Sequence, residues 1–343
     1  MTIKIQETDF FLFSSVTIKV LFANAFLNLI YVCHMKITCF ICLISMLGFS
    51  CMNEKGSAVY SESRTITKPK VDTLRQTDFH LLLPEKTADQ ALLLFGGFSE
   101  TPEDVLNESD LVRSALNANI PVLISTLNRK LWWSTDDLNN FEEAFFKLLA
   151  ERELIQKSWH IGGFSSGGNL AIMLSNHLSR NKKFKKPIGV FVVDSPLDLE
   201  RLYENASHNL ALDFHEGAVQ EASFLKSLLE TNLGLPAEKS KIYFENSAVK
   251  LSGKRQNVEA LKEIKIRFYT EPDSSWWKKN RGVGYEQTNA YLLEQAVQLL
   301  KQKGFDKISL IQTKNKGYRR DNMRHPHSWS IVDGKEFVKW VKK

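Results

Sequence analysis

The chain has 343 residues, 43% of them apolar and 24% charged, which are the proportions of a globular protein of one large or two small domains and exclude a disordered or fibrous one. The formal net charge of +6 is spread along the chain with no zinc-ligand pattern, RNA-recognition signature or long lysine/arginine run, so no nucleic-acid partner is expected. All four cysteines, Cys33, Cys39, Cys42 and Cys51, lie in the first 51 residues, which excludes a disulfide or a cysteine metal site from everything that follows.

Charge is thin at the N-terminus, where the first 50 residues hold only Lys4, Glu7, Asp9, Lys19 and Lys36. From Met35 the chain reads MKITCFICLISMLGFSC: a start-like Met-Lys, an apolar stretch of signal-peptide length, then small residues before Cys51. The ending GFSC resembles the lipobox of bacterial lipoproteins, with Phe49 bulky for that motif and Leu47 one place early. The resemblance implies lipidation at Cys51, which becomes the mature N-terminus, and a protein held in the bacterial cell envelope by a lipid. An uncleaved anchor and plain secretion are the alternatives. Residues 1–34 are apolar too, but Lys19 interrupts them and no small-residue cleavage site follows, so translation is expected to begin at Met35. Mass analysis of the native protein tests this; a mature chain that retains residues 1–34 refutes it. Residues 51–75 are polar and read as a tether from membrane to domain.

From residue 76 onward short apolar runs alternate with helical patterns. The strand candidates are HLLL (80–83), ALLLF (91–95), PVLIS (121–125), WHIG (159–162), VFVVD (190–194), IKIRFYT (264–270) and KISLIQT (307–313). Several are apolar almost throughout, as strands covered on both faces must be. Helices are expected over 102–116, opened by Thr101 as cap and Pro102 in the first turn, and over 136–154, 166–180, 286–303 and 332–342. This alternation predicts an α/β fold with a mainly parallel sheet flanked by helices. About seventy residues between VFVVD and IKIRFYT contain helix-like segments and no convincing strand. A connection of that length has structure or function of its own, and 197–255 reads as a helical cap inserted over the sheet.

Ser165 lies in Gly163-Phe164-Ser165-Ser166-Gly167, which fits G-x-S-x-G. The letters alone are weak. Their context is stronger, since a strand (WHIG) runs in and a helix with an apolar face (NLAIMLSNHLS) runs out, the arrangement that a nucleophile elbow needs. A glycine turn with Ser165 as a mere helix cap is the bland alternative. The segment SSGGNLA resembles the elbow of the α/β-hydrolase superfamily, nearest to the hormone-sensitive-lipase-like esterases with their G-D-S-A-G-G-N-L-A. Motif order and strand order extend the resemblance from about residue 77 to the end.

A serine hydroxyl needs a base, and the base a carboxylate. The resemblance implies the chain order Ser, acid, His. Of eight histidines only His325 and His327 follow the later strands, in one loop, RHPHSWS; His327 is favoured as nearer the last helix. The acid should follow IKIRFYT, where Asp273 matches the family's position and Glu271 is second. Asp194 and Asp198 follow an earlier strand and rank third, with Asp194 read as satisfying turn or cap amides. The oxyanion hole needs two backbone N–H groups. One is expected from Ser166 and the other from Gly97 or Phe98 in FGGFS (95–99), which is similar to the family's H-G-G-G loop with Phe95 and Phe98 replacing histidine and glycine. Trp132, Trp133, Trp276, Trp277 and Trp329 are candidate pocket aromatics. Lys314, Lys316, Arg319, Arg320 and Arg324 form a basic run that either attracts an anionic substrate or is a solvated loop.

The expectation is a serine hydrolase of carboxylesterase type, with Ser165, His327 and Asp273 as triad, a small-molecule ester or acylated substrate, and no metal or organic cofactor. A peptidase of the same fold is an alternative, disfavoured because the chain lacks a propeller or other gating domain. A non-catalytic envelope binding protein on the same scaffold is another.

Overall fold

The computed structural model of the protein describes residues 70–343, apart from 128, 182–184 and 254–255. The signal at 35–51, lipidation at Cys51 and a start at Met35 lie outside the described residues. Among those residues no helix is long and apolar enough to cross a membrane.

Eight strands form one sheet: β1 (Val71–Arg75), β2 (Phe79–Pro84), β3 (Gln90–Phe95), β4 (Val122–Ser125), β5 (Ser158–Phe164), β6 (Gly189–Val193), β7 (Lys265–Thr270) and β8 (Ile308–Gln312), in the order β1-β2-β4-β3-β5-β6-β7-β8. β1 pairs antiparallel with β2 and β2 with β4; every later pairing is parallel. All seven strand expectations are met. β1 is an addition: it takes up residues 71–75, which were expected to belong to the tether. Its mixed polar sequence, VDTLR, suits an edge strand with one partner and much exposure.

The helices are α1 (Pro102–Glu108), α2 (Asp110–Asn117), α3 (Thr135–Glu151), α4 (Ser166–Arg180), α5 (Leu199–Leu212), α6 (Glu216–Leu233), α7 (Ser240–Asn246), α8 (Ser274–Arg281), α9 (Asn289–Gln302) and α10 (Gly334–Lys342). Thr101 opens α1 with a reciprocal capping box to Asp104, and Pro102 sits in the first turn as expected. The single helix foreseen over 102–116 is instead two, because Ser109 leaves the helical conformation between them. Likewise the helix foreseen from 286 starts at Asn289, where the Thr288 hydroxyl accepts the Tyr291 N–H.

Alternate strand residues serve opposite faces of the sheet. Leu92 and Leu94 of β3 pack with Val105, Leu111, Phe337 and Trp340 from α1, α2 and α10. Ala91, Leu93 and Phe95 of the same strand pack with Phe141, Phe145, Leu170 and Leu174 from α3 and α4. Val190, Val192, Ile266 and Phe268 meet Leu293, Ala296 and Leu300 of α9. Burial on both faces explains the unbroken apolar strands. Between β6 and β7 the described residues contain three α-helices, α5 to α7, a short 3-10 helix at Glu259–Leu261 and no strand; Leu199, Leu229, Leu233 and Tyr243 hold α5 to α7 together.

Candidate active site

Ser165 occupies the turn between β5 and α4, at the C-terminal edge of the parallel strands. Its backbone angles, φ 51° and ψ −125°, are ones that a residue with a side chain rarely adopts, at a cost of about 1–3 kcal/mol. Main-chain bonds hold the turn: the Ser165 N–H donates to Val193 O at 2.9 Å and the Gly168 N–H to Ser165 O at 3.0 Å. The two motif glycines are needed for close approach. A Cβ at Gly163 would strike the Gly167 carbonyl, and one at Gly167 would strike the carbonyls of Phe95 and Gly96. The hydroxyl makes no helix-capping bond, so the bland reading of Ser165 as a cap does not hold.

His327 and Ser165 line one cavity of about 310 Å³. The imidazole packs against Phe164, the residue before the serine, with ring centres 4.4 Å apart and the planes tilted by 31°. Its Nδ1 lies 2.6 Å from Asp194 Oδ2. Asp194 follows β6 directly, is 4% exposed, and has the positive φ of 43°. Its N–H donates to Tyr269 O at 2.9 Å, its carbonyl accepts from Asn289 Nδ2 at 2.9 Å, and its Oδ1 accepts the Thr270 hydroxyl at 2.6 Å. Backbone and side chain are thus both pinned, with one carboxylate oxygen left for the histidine.

The carboxylate that bonds His327 is therefore Asp194 and not Asp273, the acid expected from the sequence. Neither Asp273 nor Glu271 bonds His327, because both serve Arg324. Asp273 Oδ2 lies 2.6 Å from Arg324 Nη2, and its Oδ1 accepts the Trp276 N–H at 3.0 Å as the cap of α8. Glu271 Oε1 meets the same guanidinium, while Oε2 accepts the Thr313 hydroxyl and the Lys316 and Gly317 N–H groups at 2.8, 2.8 and 3.1 Å. Arg324 also donates to Gly317 O at 2.7 Å. The third-ranked Asp198 caps α5 and accepts the Leu251 N–H at 2.8 Å; burial raises its pKa.

His325 also reaches the cavity, yet its ring packs on Trp276 with centres 4.7 Å apart and has no carboxylate partner. Burial, then the charge of His327 and of Arg319 and Arg281, pushes its pKa down to about 3.

The oxyanion candidates divide. Ser166 is the first residue of α4, so its N–H has no intrahelical acceptor, and both Ser166 and Phe98 line the cavity. The Gly97 N–H is committed elsewhere: it donates to Glu100 Oε2 at 2.8 Å, an oxygen that also accepts Trp329 Nε1 at 3.0 Å. That occupancy removes Gly97 from the expected pair. Of the five tryptophans only Trp277 lines the cavity; Trp133 and Trp329 are buried, and Trp133 donates to Leu170 O.

No family model matches the chain, and no curated protein does. Solved structures are similar at low identity. A carboxyl esterase of the fungus Tuber melanosporum aligns over 82% of this chain and 85% of its own with 15% identity and a TM-score of 0.49. An esterase of the bacterial hormone-sensitive lipase family aligns over 80% and 83% with 14% identity and a TM-score of 0.49. A fluorophosphonate-binding serine hydrolase of Staphylococcus aureus aligns over 80% and 98% with 10% identity and a TM-score of 0.49. The eight-stranded sheet in its observed order, the helices on both faces and the strained serine between β5 and α4 together establish an α/β-hydrolase fold.

Proposed function

We propose that the protein is a serine hydrolase that cleaves carboxylic esters through an acyl-enzyme. The observation that supports this reading is the constellation in one cleft: a strained Ser165, and beside it a histidine whose Nδ1 is bonded by a buried carboxylate. An ionised carboxylate only accepts, so the Asp194 bond keeps the imidazole proton on Nδ1 and leaves the Nε2 lone pair free. His327 Nε2 takes the Ser165 proton as Oγ attacks the ester carbonyl, whose oxygen gains the charge. The N–H groups of Ser166 and Phe98 receive that oxyanion, aided by the positive end of α4. Collapse breaks the bond to the alcohol, which leaves with the proton from His327. Water then repeats the cycle on the acyl-enzyme and frees the acid and Ser165.

The envelope anchorage belongs to the same proposal and rests on the sequence from Met35 to Cys51 alone. A fluorophosphonate probe tests the chemistry. The protein should label covalently, and Ser165→Ala should abolish labelling without lowering the melting temperature by more than a few degrees. An unlabelled protein, or equal labelling of the variant, would leave a binding protein on a hydrolase scaffold. Nitrophenyl esters against peptide substrates then separate esterase from peptidase.

A further inference from the structure

The cavity over Ser165 carries positive charge on its lining. Two guanidinium groups line it: Arg281, at the end of α8, and Arg319, in the loop before His327. Arg281 has no carboxylate within ion-pair reach among the described residues; its polar contact is the ring nitrogen Nδ1 of His215, at 3.4 Å. That nitrogen already faces the Ala218 N–H. Arg319 comes no nearer than 3.9 Å to Glu100, whose other oxygen is occupied by Gly97 and Trp329. The one carboxylate among the lining residues, Glu221, is solvent-exposed.

The basic run seen in the sequence is thereby sorted. Arg324 is spent on Glu271 and Asp273, and Lys314, Lys316 and Arg320 are exposed. Arg319 alone of the five lines the cavity, joined by Arg281 from 38 positions earlier in the chain. Burial first, then the charge of His327 and of the two guanidiniums, lowers the pKa of His325 on the same lining.

We infer that the substrate carries an oxyanion, a carboxylate or a phosphate, on the part remote from the scissile ester, and that Arg281 and Arg319 bind it. The inference rests on the proposed catalytic reading for which bond is cleaved, and on the cavity alone for which ligand enters. Guanidinium groups suit such anions because their donors match two oxygens at once.

The test measures binding without turnover. The protein carrying Ser165→Ala is titrated by calorimetry with 4-acetoxybenzoate, 4-acetoxyphenyl phosphate and the neutral methyl 4-acetoxybenzoate. At least one anion should bind about tenfold or more tightly than the neutral ester, as charge-assisted hydrogen bonds allow. The stronger of the two identifies carboxylate or phosphate as the anion. Adding Arg281→Gln should bring anion and neutral ester to within about threefold, and Arg319→Gln should narrow the gap on its own, with melting curves checking that each variant is folded. Equal affinities, undetectable binding of both anions, or a preference that survives both substitutions overturns the inference. Fluorophosphonate labelling of the unaltered protein reports separately on the catalytic reading.

Discussion

Two neighbouring strand ends carry carboxylates, and they are used in opposite ways. After β6, Asp194 gives one oxygen to the Thr270 hydroxyl and the other to His327. After β7, Glu271 and Asp273 close on Arg324. Asp194 and Glu271 are equally hidden, at 4% and 2% exposure, so burial does not distinguish them. Their partners do. A buried carboxylate facing a titratable imidazole can direct a proton, whereas one facing an arginine has met a permanent charge and can only hold a loop.

Substitutions at the two strand ends should separate these roles. Asp194→Asn keeps the shape and the bond to Thr270 but removes the charge that fixes the His327 tautomer; kcat on a nitrophenyl ester should fall by about 10³–10⁴-fold. Arg324→Met leaves Glu271 buried without its cation. Unfolding in denaturant should reveal a loss of about 3 kcal/mol or less, since a fifth of the Arg324 side chain is exposed, 21%. Because Gly317 and the chain leading to His327 are tied to the same guanidinium, kcat should drop by about tenfold, with KM less affected. Asp273→Asn should do least: asparagine also caps helices, so stability should move by about 1 kcal/mol or less and activity by about threefold or less. If Asp273→Asn is as inactive as Asp194→Asn, the assignment of roles to the two strand ends is wrong.

Much of this architecture was legible in the chain itself. Seven strands were readable because burial on both faces demands unbroken apolar runs, and the serine turn because two glycines flank it between a strand and a helix. The acid was not. Adjacent parallel strands deliver their C-terminal residues to nearly the same place, so chain order admits a carboxylate from β6 or β7 equally. Asp273 matches the position of the acid in the family that the chain resembles, and Arg324, which engages both Asp273 and Glu271, is about fifty residues further on. The available signal was Asp194 itself, set without a spacer after the wholly apolar VFVV. Similarly, Gly97 looked like an oxyanion donor because Gly-Gly allows close approach, while the Glu100 side chain that occupies its N–H could not be placed from sequence.

Glu100 has a mechanical consequence. One of its oxygens grips the Gly97 amide and the Trp329 indole together, and Trp329 sits two positions beyond His327. The segment offering Phe98 and the segment offering the imidazole are thus clamped to a common jig. Wobble at one is felt at the other, so their spacing is set to a shared tolerance even though 229 positions of chain separate the residues that make the clamp.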